Sequence, residues 1–413
     1  MPDVENLLRE ELKRAAERVQ PELLRPLQVP TRRPSWRPRL LPLAAAAAAA
    51  VIAVITAGAL VAGLSAAHQP AAHQAAGSGS ASLPRFYVTT SSTPDGRGIQ
   101  AVVHTSASGQ VVGTVPVPSA EPVEWADSGG TFVTAAADDR SFIIGVQGGQ
   151  EPTKVGLDLR LFRFAISAAG KPGHLTELAP APMPNETTEG IALSPDGKLL
   201  AVSLQNDSSP DAVGAIQVLD LVTGATRTWT APAHSVYIPG PPSWADGSRV
   251  IAFTWLNADQ SGLMSAPRGI RLLDTAAPGD NLVAGTVIVP SGVVAAGSIV
   301  SAMITPDGRD VIVVTWRDLT PQARTHTVVV QFAELQASTG RLVRLLRTET
   351  ARYDEVDVTT LEVSLGVLSL GPQGYALVQG VQFGWLDVGG PDPGRFTPLP
   401  AVAVGQYVNF AAW

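Results

Sequence analysis

Ser194-Pro195-Asp196-Gly197, followed at once by the run Lys198-Leu199-Leu200-Ala201-Val202-Ser203-Leu204, decides the fold. Proline presets the first corner of a tight turn, aspartate caps it through its side chain, and glycine takes the positive φ that closes it. The same turn before a strand returns as Thr305-Pro306-Asp307-Gly308 ahead of RDVIVVTW and as Trp244-Ala245-Asp246-Gly247 ahead of SRVIAFTW. Looser copies are Ala137-Asp138-Asp139-Arg140 ahead of SFIIGVQ and Gly371-Pro372-Gln373-Gly374 ahead of YALVQ. The strands after these turns are continuous apolar runs without alternation. Such runs imply burial on both faces, as in sheets stacked on neighbouring sheets.

Each of the three clearest strands leads into a second hairpin with its own glycine: Gly224, Gly279 and Gly340. The separations from turn glycine to hairpin glycine are 27, 32 and 32 residues. A similar hairpin turns near Gly170. The unit is therefore four short strands, and four-stranded units repeating along a chain predict a β-propeller.

Units fall at the start of the domain, near 130–180, 188–232, 238–290, 298–348 and 360–400, which makes six blades; seven is the alternative count. The final segment, Ala401–Trp413, has no turn or partner of its own and is similar to the strand that opens the third unit. It is expected to complete the first blade as a clasp that removes the open sheet edge. The S-P-D-G and T-P-D-G cores with their apolar strands resemble the WD-repeat-like propellers of the TolB type, found in bacterial envelope proteins. The likeness covers residues 85–413 and implies an all-β propeller. A short tail, one span and an outer propeller also resemble uncharacterised actinobacterial membrane proteins.

Ahead of the repeats, no Asp, Glu, Lys or Arg occurs between Arg39 and Arg85. Leu40–Leu64 is almost wholly apolar and would form a helix about 37 Å long, enough to cross a hydrocarbon core of about 30 Å. Arg32, Arg33, Arg37 and Arg39 precede it with no acid among them, so the positive-inside bias sets residues 1–39 in the cytoplasm. The expected division is a cytoplasmic tail (1–39), a transmembrane helix (40–64), a flexible linker (65–84) and an extracytoplasmic propeller (85–413). Ser65-Ala66-Ala67 offers a cleavage site, but the apolar run is longer than a signal-peptide core, and an uncleaved anchor is expected. Within the tail, Val4, Leu7, Leu8, Leu12, Ala15, Ala16 and Val19 recur at helical spacing, an amphipathic helix that Pro21 ends. Such a helix could dock on a cytoplasmic partner, pair with a second copy or lie on the inner leaflet; the plain alternative is a solvated tail that ends in the topology-setting arginines.

Composition narrows the function. Residues 1–39 hold nine Lys/Arg against six Asp/Glu, so the remainder carries −10 of the whole-chain −7. An acidic outer domain is a poor partner for nucleic acid. The chain has no cysteine, which excludes disulfides, thiolate metal sites and a cysteine nucleophile.

No catalytic set is legible. His68 and His73 lie in the linker, and His104, His174, His234 and His326 are scattered. No nucleophile elbow, Walker loop or dinucleotide fingerprint is present, and Asp127-Ser128-Gly129-Gly130 reads as an inter-strand turn. One dense acidic run, Glu349, Asp354, Glu355 and Asp357, joins the fifth and sixth units; it matches no defined calcium loop and is expected to be a solvated acidic loop. Trp125, Trp229, Trp244, Trp255, Trp316 and Trp385 fall in or beside strands, where packing between blades is their expected role. No cofactor is expected. The expected function is a membrane-anchored binding, sensing or scaffolding module, presenting loops to a protein, peptide or cell-envelope ligand. A hydrolase or lyase with its site in the central funnel is the alternative.

Overall fold

The computed structural model describes residues 83–95, 98–118, 131–147, 159–178, 187–206, 213–231, 238, 240–245, 247–255, 269–288, 297–321, 323, 325–354, 365–399 and 411–412. The chain divides into two units, Met1–Ala71 and Ala72–Trp413. The tail, the apolar stretch 40–64 with its four preceding arginines, and linker residues 65–82 lie outside the described residues.

Six four-stranded antiparallel sheets make up the described part of the second unit. Blade 2 is β4 (Thr131–Ala135), β5 (Ser141–Gln147), β6 (Leu159–Ala165) and β7 (Thr176–Glu177). Blade 3 is β8 (Thr187–Leu193), β9 (Leu199–Asn206), β10 (Val213–Asp220) and β11 (Thr226–Thr230). Blade 4 is β12 (Ser243–Ala245), β13 (Val250–Trp255), β14 (Gly269–Asp274) and β15 (Thr286–Ile288). Blade 5 is β16 (Ser298–Ile304), β17 (Asp310–Asp318), β18 (Thr325–Gln336) and β19 (Leu342–Asp354). Blade 6 is β20 (Gly366–Leu370), β21 (Tyr375–Gln379), β22 (Phe383–Asp387) and β23 (Phe396–Pro398).

Blade 1 is built from both ends of the domain. β1 (Phe86–Ser92), β2 (Ile99–Thr105) and β3 (Val111–Val117) are completed by β24 (Ala411–Ala412), which pairs Ala412 with Val88 and Ala411 with Thr89. The C-terminal clasp and the count of six blades stand as the repeat implied.

The turns form as their residues dictate. In blade 3 the Ser194 hydroxyl donates to Asp196 (2.7 Å), accepts from the Leu199 amide (2.9 Å), and Gly197 sits at φ 70°. In blade 5 Thr305, Asp307 and Asp310 repeat the pattern, with Gly308 at φ 72°. Blade 2 lacks the glycine, and Asp139 takes the positive angle itself (φ 55°).

The blades stack face to face, and each seam has its own apolar cluster. Ile144 and Val103 mark the seam of blades 1 and 2, Ile143 and Leu200 that of 2 and 3, and Ile216 and Phe253 that of 3 and 4. Val311 and Ala252 mark blades 4 and 5, Phe332 and Val378 blades 5 and 6, and Trp385 and Tyr87 blades 6 and 1. Six seams for six blades close the ring. The fully buried β5, β9, β13 and β17 interiors account for the non-alternating runs.

Candidate binding face

Antiparallel pairing sends the first and third turns of each four-stranded blade to one axial end and the remaining connections to the other. At the first end the turns touch one another. The Ala137 amide donates to the Pro195 carbonyl (3.1 Å), the Ser248 hydroxyl to Asp196 (3.3 Å), and the Gln373 side-chain amide to Asp139 (3.4 Å). The chain also enters the ring there. The Arg85 carbonyl, just before β1, accepts from Ser106 in the β2–β3 turn (3.0 Å). Gly170 lies so close to this point that a Cβ on it would sit 2.6 Å from the Phe86 ring. Ala412, antiparallel to β1, finishes at the same end. We call this the turn end.

At the opposite, connection end the second strand of blades 2 to 5 finishes and the third begins, and the outer strand of each blade ends. That end also holds one turn of the repeated type that our reading of the repeats missed. Thr93-Pro94-Asp95 joins β1 to β2, with the Thr93 hydroxyl donating to Asp95 (2.6 Å) and accepting from the Gly98 amide (2.9 Å). The T-P-D-G string is present in the sequence, but it is out of phase. Because β24 supplies the inner strand of blade 1, β1 and β2 are its second and third strands, and their turn points the other way.

The inner strands are stitched to one another by hydroxyls. Thr134 accepts from the Leu193 amide (2.8 Å), Ser243 from Ile304 (2.9 Å) and Ser301 from Val367 (3.2 Å). These side chains hold the ring and are engaged by backbone.

Blade 5 differs from its neighbours. Its two outer strands, β18 and β19, run 12 and 13 residues, and the added length projects at the connection end. There His326 and Asp318 form a nearly buried pair through Nδ1 and Oδ2, and the Thr320 amide donates to the other Asp318 oxygen (2.8 Å). Burial opposes the charge on Asp318, but the bonds from His326 and Thr320 hold its carboxyl below the usual range. The two residues are eight apart on facing strands, a link that a scan for close histidine pairs does not reach.

A second histidine is structural. His104 Nδ1 faces the Gly109 carbonyl (3.1 Å), which can only accept, so Nδ1 carries the proton and Nε2 accepts from Thr89 (2.9 Å). The ring stacks on Tyr87 at 4.7 Å. Burial lowers the His104 pKa and pushes Tyr87 up to about 12.

Glu349 departs from the expected acidic loop. It lies inside β19, is 7% exposed, and its carboxylate accepts from Arg347 Nε (2.6 Å) and from the Val381 amide of blade 6 (2.7 Å). The strand persists because those two donors neutralise a buried carboxylate that would otherwise need water. Asp354 ends the same strand; Glu355 and Asp357 lie outside the described residues, as do Asp127–Gly130, His234 and Trp125. The tryptophans Trp229, Trp244 and Trp385 are buried in seams.

No protein family and no curated protein matches the chain. Among solved structures, the hydrazine synthase of Kuenenia stuttgartiensis aligns at TM-score 0.40 and 17% identity, covering 76% of this chain and 79% of that one. Prolyl oligopeptidase B from Galerina marginata aligns at TM-score 0.39 and 11% identity, over 76% of this chain and 40% of that one. Dipeptidyl peptidase 4 of Porphyromonas gingivalis aligns at TM-score 0.36 and 12% identity, over 75% and 46%. The chain spans less than half the length of either peptidase.

Proposed function

We propose that this chain is a membrane-anchored binding or sensing protein, whose propeller lies outside the cytoplasm and engages a protein, peptide or envelope ligand at its connection end. The supporting observation is the asymmetry of the ring. Short interlocked turns, the start of β1 and the end of β24 occupy one axial end, while the tall outer strands of blade 5 project at the other. Variable loops on a rigid sheet scaffold are where proteins place recognition. The apolar stretch 40–64, with arginines on one flank only, supports the anchor. The tail helix of residues 3–19 would carry the signal to a cytoplasmic partner.

A photo-crosslinking side chain placed at Leu319, exposed at the connection end, should capture a specific partner in living cells. The same group at Val222, exposed at the turn end, should not. Equal capture from both positions, or from Val222 alone, contradicts the assigned face. Deleting residues 1–30 tests signalling separately: a phenotype unchanged by the deletion removes the tail from the account.

A further inference from the structure

The outer strand of blade 5 is a sheet edge far longer than its counterparts. β19 runs 13 residues, against 7, 2, 5, 3 and 3 in the outer strands of blades 1, 2, 3, 4 and 6. Among the described residues its ladder partner is β18 alone. An open edge presents unpaired N–H and C=O groups, and proteins blunt such edges with bulges, prolines or covering elements.

The first half of β19 is blunted in these ways. Register shifts opposite Phe332/Ala333 and Glu334/Leu335 leave Leu346 and Val343 as extra, bulged residues. Blade 6 also lies against this half. Arg344 Nη2 donates to the Val388 carbonyl (2.7 Å), and a Cβ on Gly394 would stand 2.5 Å from the Leu346 carbonyl oxygen. From Arg347 to Asp354, by contrast, no shift interrupts the pairing with Thr325–Phe332, and no proline occurs. This second half is the part that projects at the connection end.

Register fixes which backbone groups of the projecting half are free. The Leu319 amide donates to the Thr327 carbonyl (2.8 Å), so Thr327 turns its backbone groups toward β17. Alternation then turns those of His326, Val328 and Val330 toward β19, where they meet Tyr353, Ala351 and Glu349. The amides and carbonyls of Thr348, Thr350 and Arg352 therefore point outward from the edge. These three residues are exposed, and they share a face with the exposed Arg317, which aligns with Thr350 through Val329. Glu334, Glu349 and Asp318 are held by Arg344, Arg347 and His326, and no described carboxylate pairs with Arg317 or Arg352.

We propose that Thr348–Arg352 is a docking edge for an extended acidic segment of a protein partner, which adds a fifth strand to blade 5. Backbone groups of that segment exchange bonds with those of Thr348, Thr350 and Arg352, and a carboxylate opposite Arg352 fixes the register. A second copy of this chain fits less well. Symmetric pairings that keep most of the segment in register set Arg352 opposite Thr348, Thr350 or another Arg352, never opposite an acid. The choice of a protein partner rests on the connection-end reading above; the edge itself rests on register and owes nothing to the membrane anchor.

The test is fluorescence anisotropy with the purified full-length chain and a fluorescein-labelled peptide of sequence Val-Thr-Val-Glu-Val-Thr-Val. Saturable binding is expected. Lysine in place of the glutamate should weaken it about fivefold, and N-methylation of the threonine and glutamate amides, which blocks strand pairing, should abolish it. Thr350→Pro removes an outward N–H that the sheet does not use, so the variant should fold as the parent does and lose binding. Arg352→Glu should reverse the preference between the glutamate and lysine peptides, and it keeps the test decisive should Thr350→Pro fail to fold. A parent that ignores the glutamate peptide, binding that survives N-methylation or Thr350→Pro, or indifference to the charge swap overturns the inference. So does dimerisation of the parent that Thr350→Pro abolishes, which would make a second copy the occupant. Cellular capture from Leu319 that persists in Thr350→Pro would also overturn the edge, while leaving the connection-end reading in place.

Discussion

The indole N–H of Trp244 in blade 4 donates to the Ala192 carbonyl in blade 3 across 2.9 Å, with both groups buried. The tryptophan therefore does two jobs in one seam, filling apolar space and donating a cross-blade bond to an inner-strand carbonyl. Trp244→Phe keeps most of the packing and removes the cross-blade bond. The expected loss is about 0.5–1.5 kcal/mol, read as a lower urea midpoint at unchanged m-value.

The clasp makes a second prediction. β24 is short, but Ala412 is buried against Val88 and packs in the seam between blades 1 and 2. Removing residues 401–413 bares the inner edge of β1, and an open edge invites pairing with another chain. Light scattering of the truncated protein should show concentration-dependent association, and calorimetry should show loss of a single cooperative transition. A monomeric, cooperatively unfolding truncation would mean the ring does not need its clasp.

Turn chemistry can be tested in both directions. Gly197 (φ 70°) has room for a methyl group, its nearest neighbour being the Ala136 Cβ at 3.5 Å from a built Cβ, so Gly197→Ala isolates backbone strain. A cost of about 1 kcal/mol is expected. Ser248 (φ 76°) is a non-glycine residue in the same region, so Ser248→Gly should relieve strain of similar size, less the weak bond its hydroxyl gives Asp196 at 3.3 Å. Opposite shifts in unfolding midpoint for the two substitutions are the expected result.

Much of this architecture was legible in the chain because its signals are local. Pro195, Asp196 and Gly197 determine their own turn, and the apolar runs after the turns report burial on both faces without knowledge of the partner. The clasp was legible from Ala401–Trp413 because a strand without a partner is conspicuous. What escaped depends on distant pairings. Asp318 meets His326 only once β17 and β18 are in register, and Glu349 is buried only because Arg347 and the Val381 amide await it. The turn at Thr93-Pro94-Asp95 was visible as a string, but its phase depended on a strand contributed from the far end of the chain. The outward-facing amides of Thr348, Thr350 and Arg352 likewise follow only from the register of β17, β18 and β19.

The buried His104 gives a pH prediction. Burial lowers its folded-state pKa below the ordinary 6.5, so the unfolded chain takes up the proton first. Its contribution to stability is complete above pH 6.5 and is lost as pH falls from there toward the lower folded value. His104→Phe retains the stack on Tyr87 and removes the titration. Urea unfolding across this window should therefore show a shallower pH slope in the variant than in the parent, whatever its absolute stability.

The central claim, a propeller held outside the membrane by one N-terminal span, can be read most directly with cysteine labelling, since the chain has no cysteine of its own. Single cysteines at Ser35, Ser78 and the exposed Thr348 would be treated in intact cells with a membrane-impermeant maleimide. The account predicts labelling at positions 78 and 348 without permeabilisation, and at position 35 only after it. Labelling of position 35 in intact cells, with 78 and 348 protected, would contradict it.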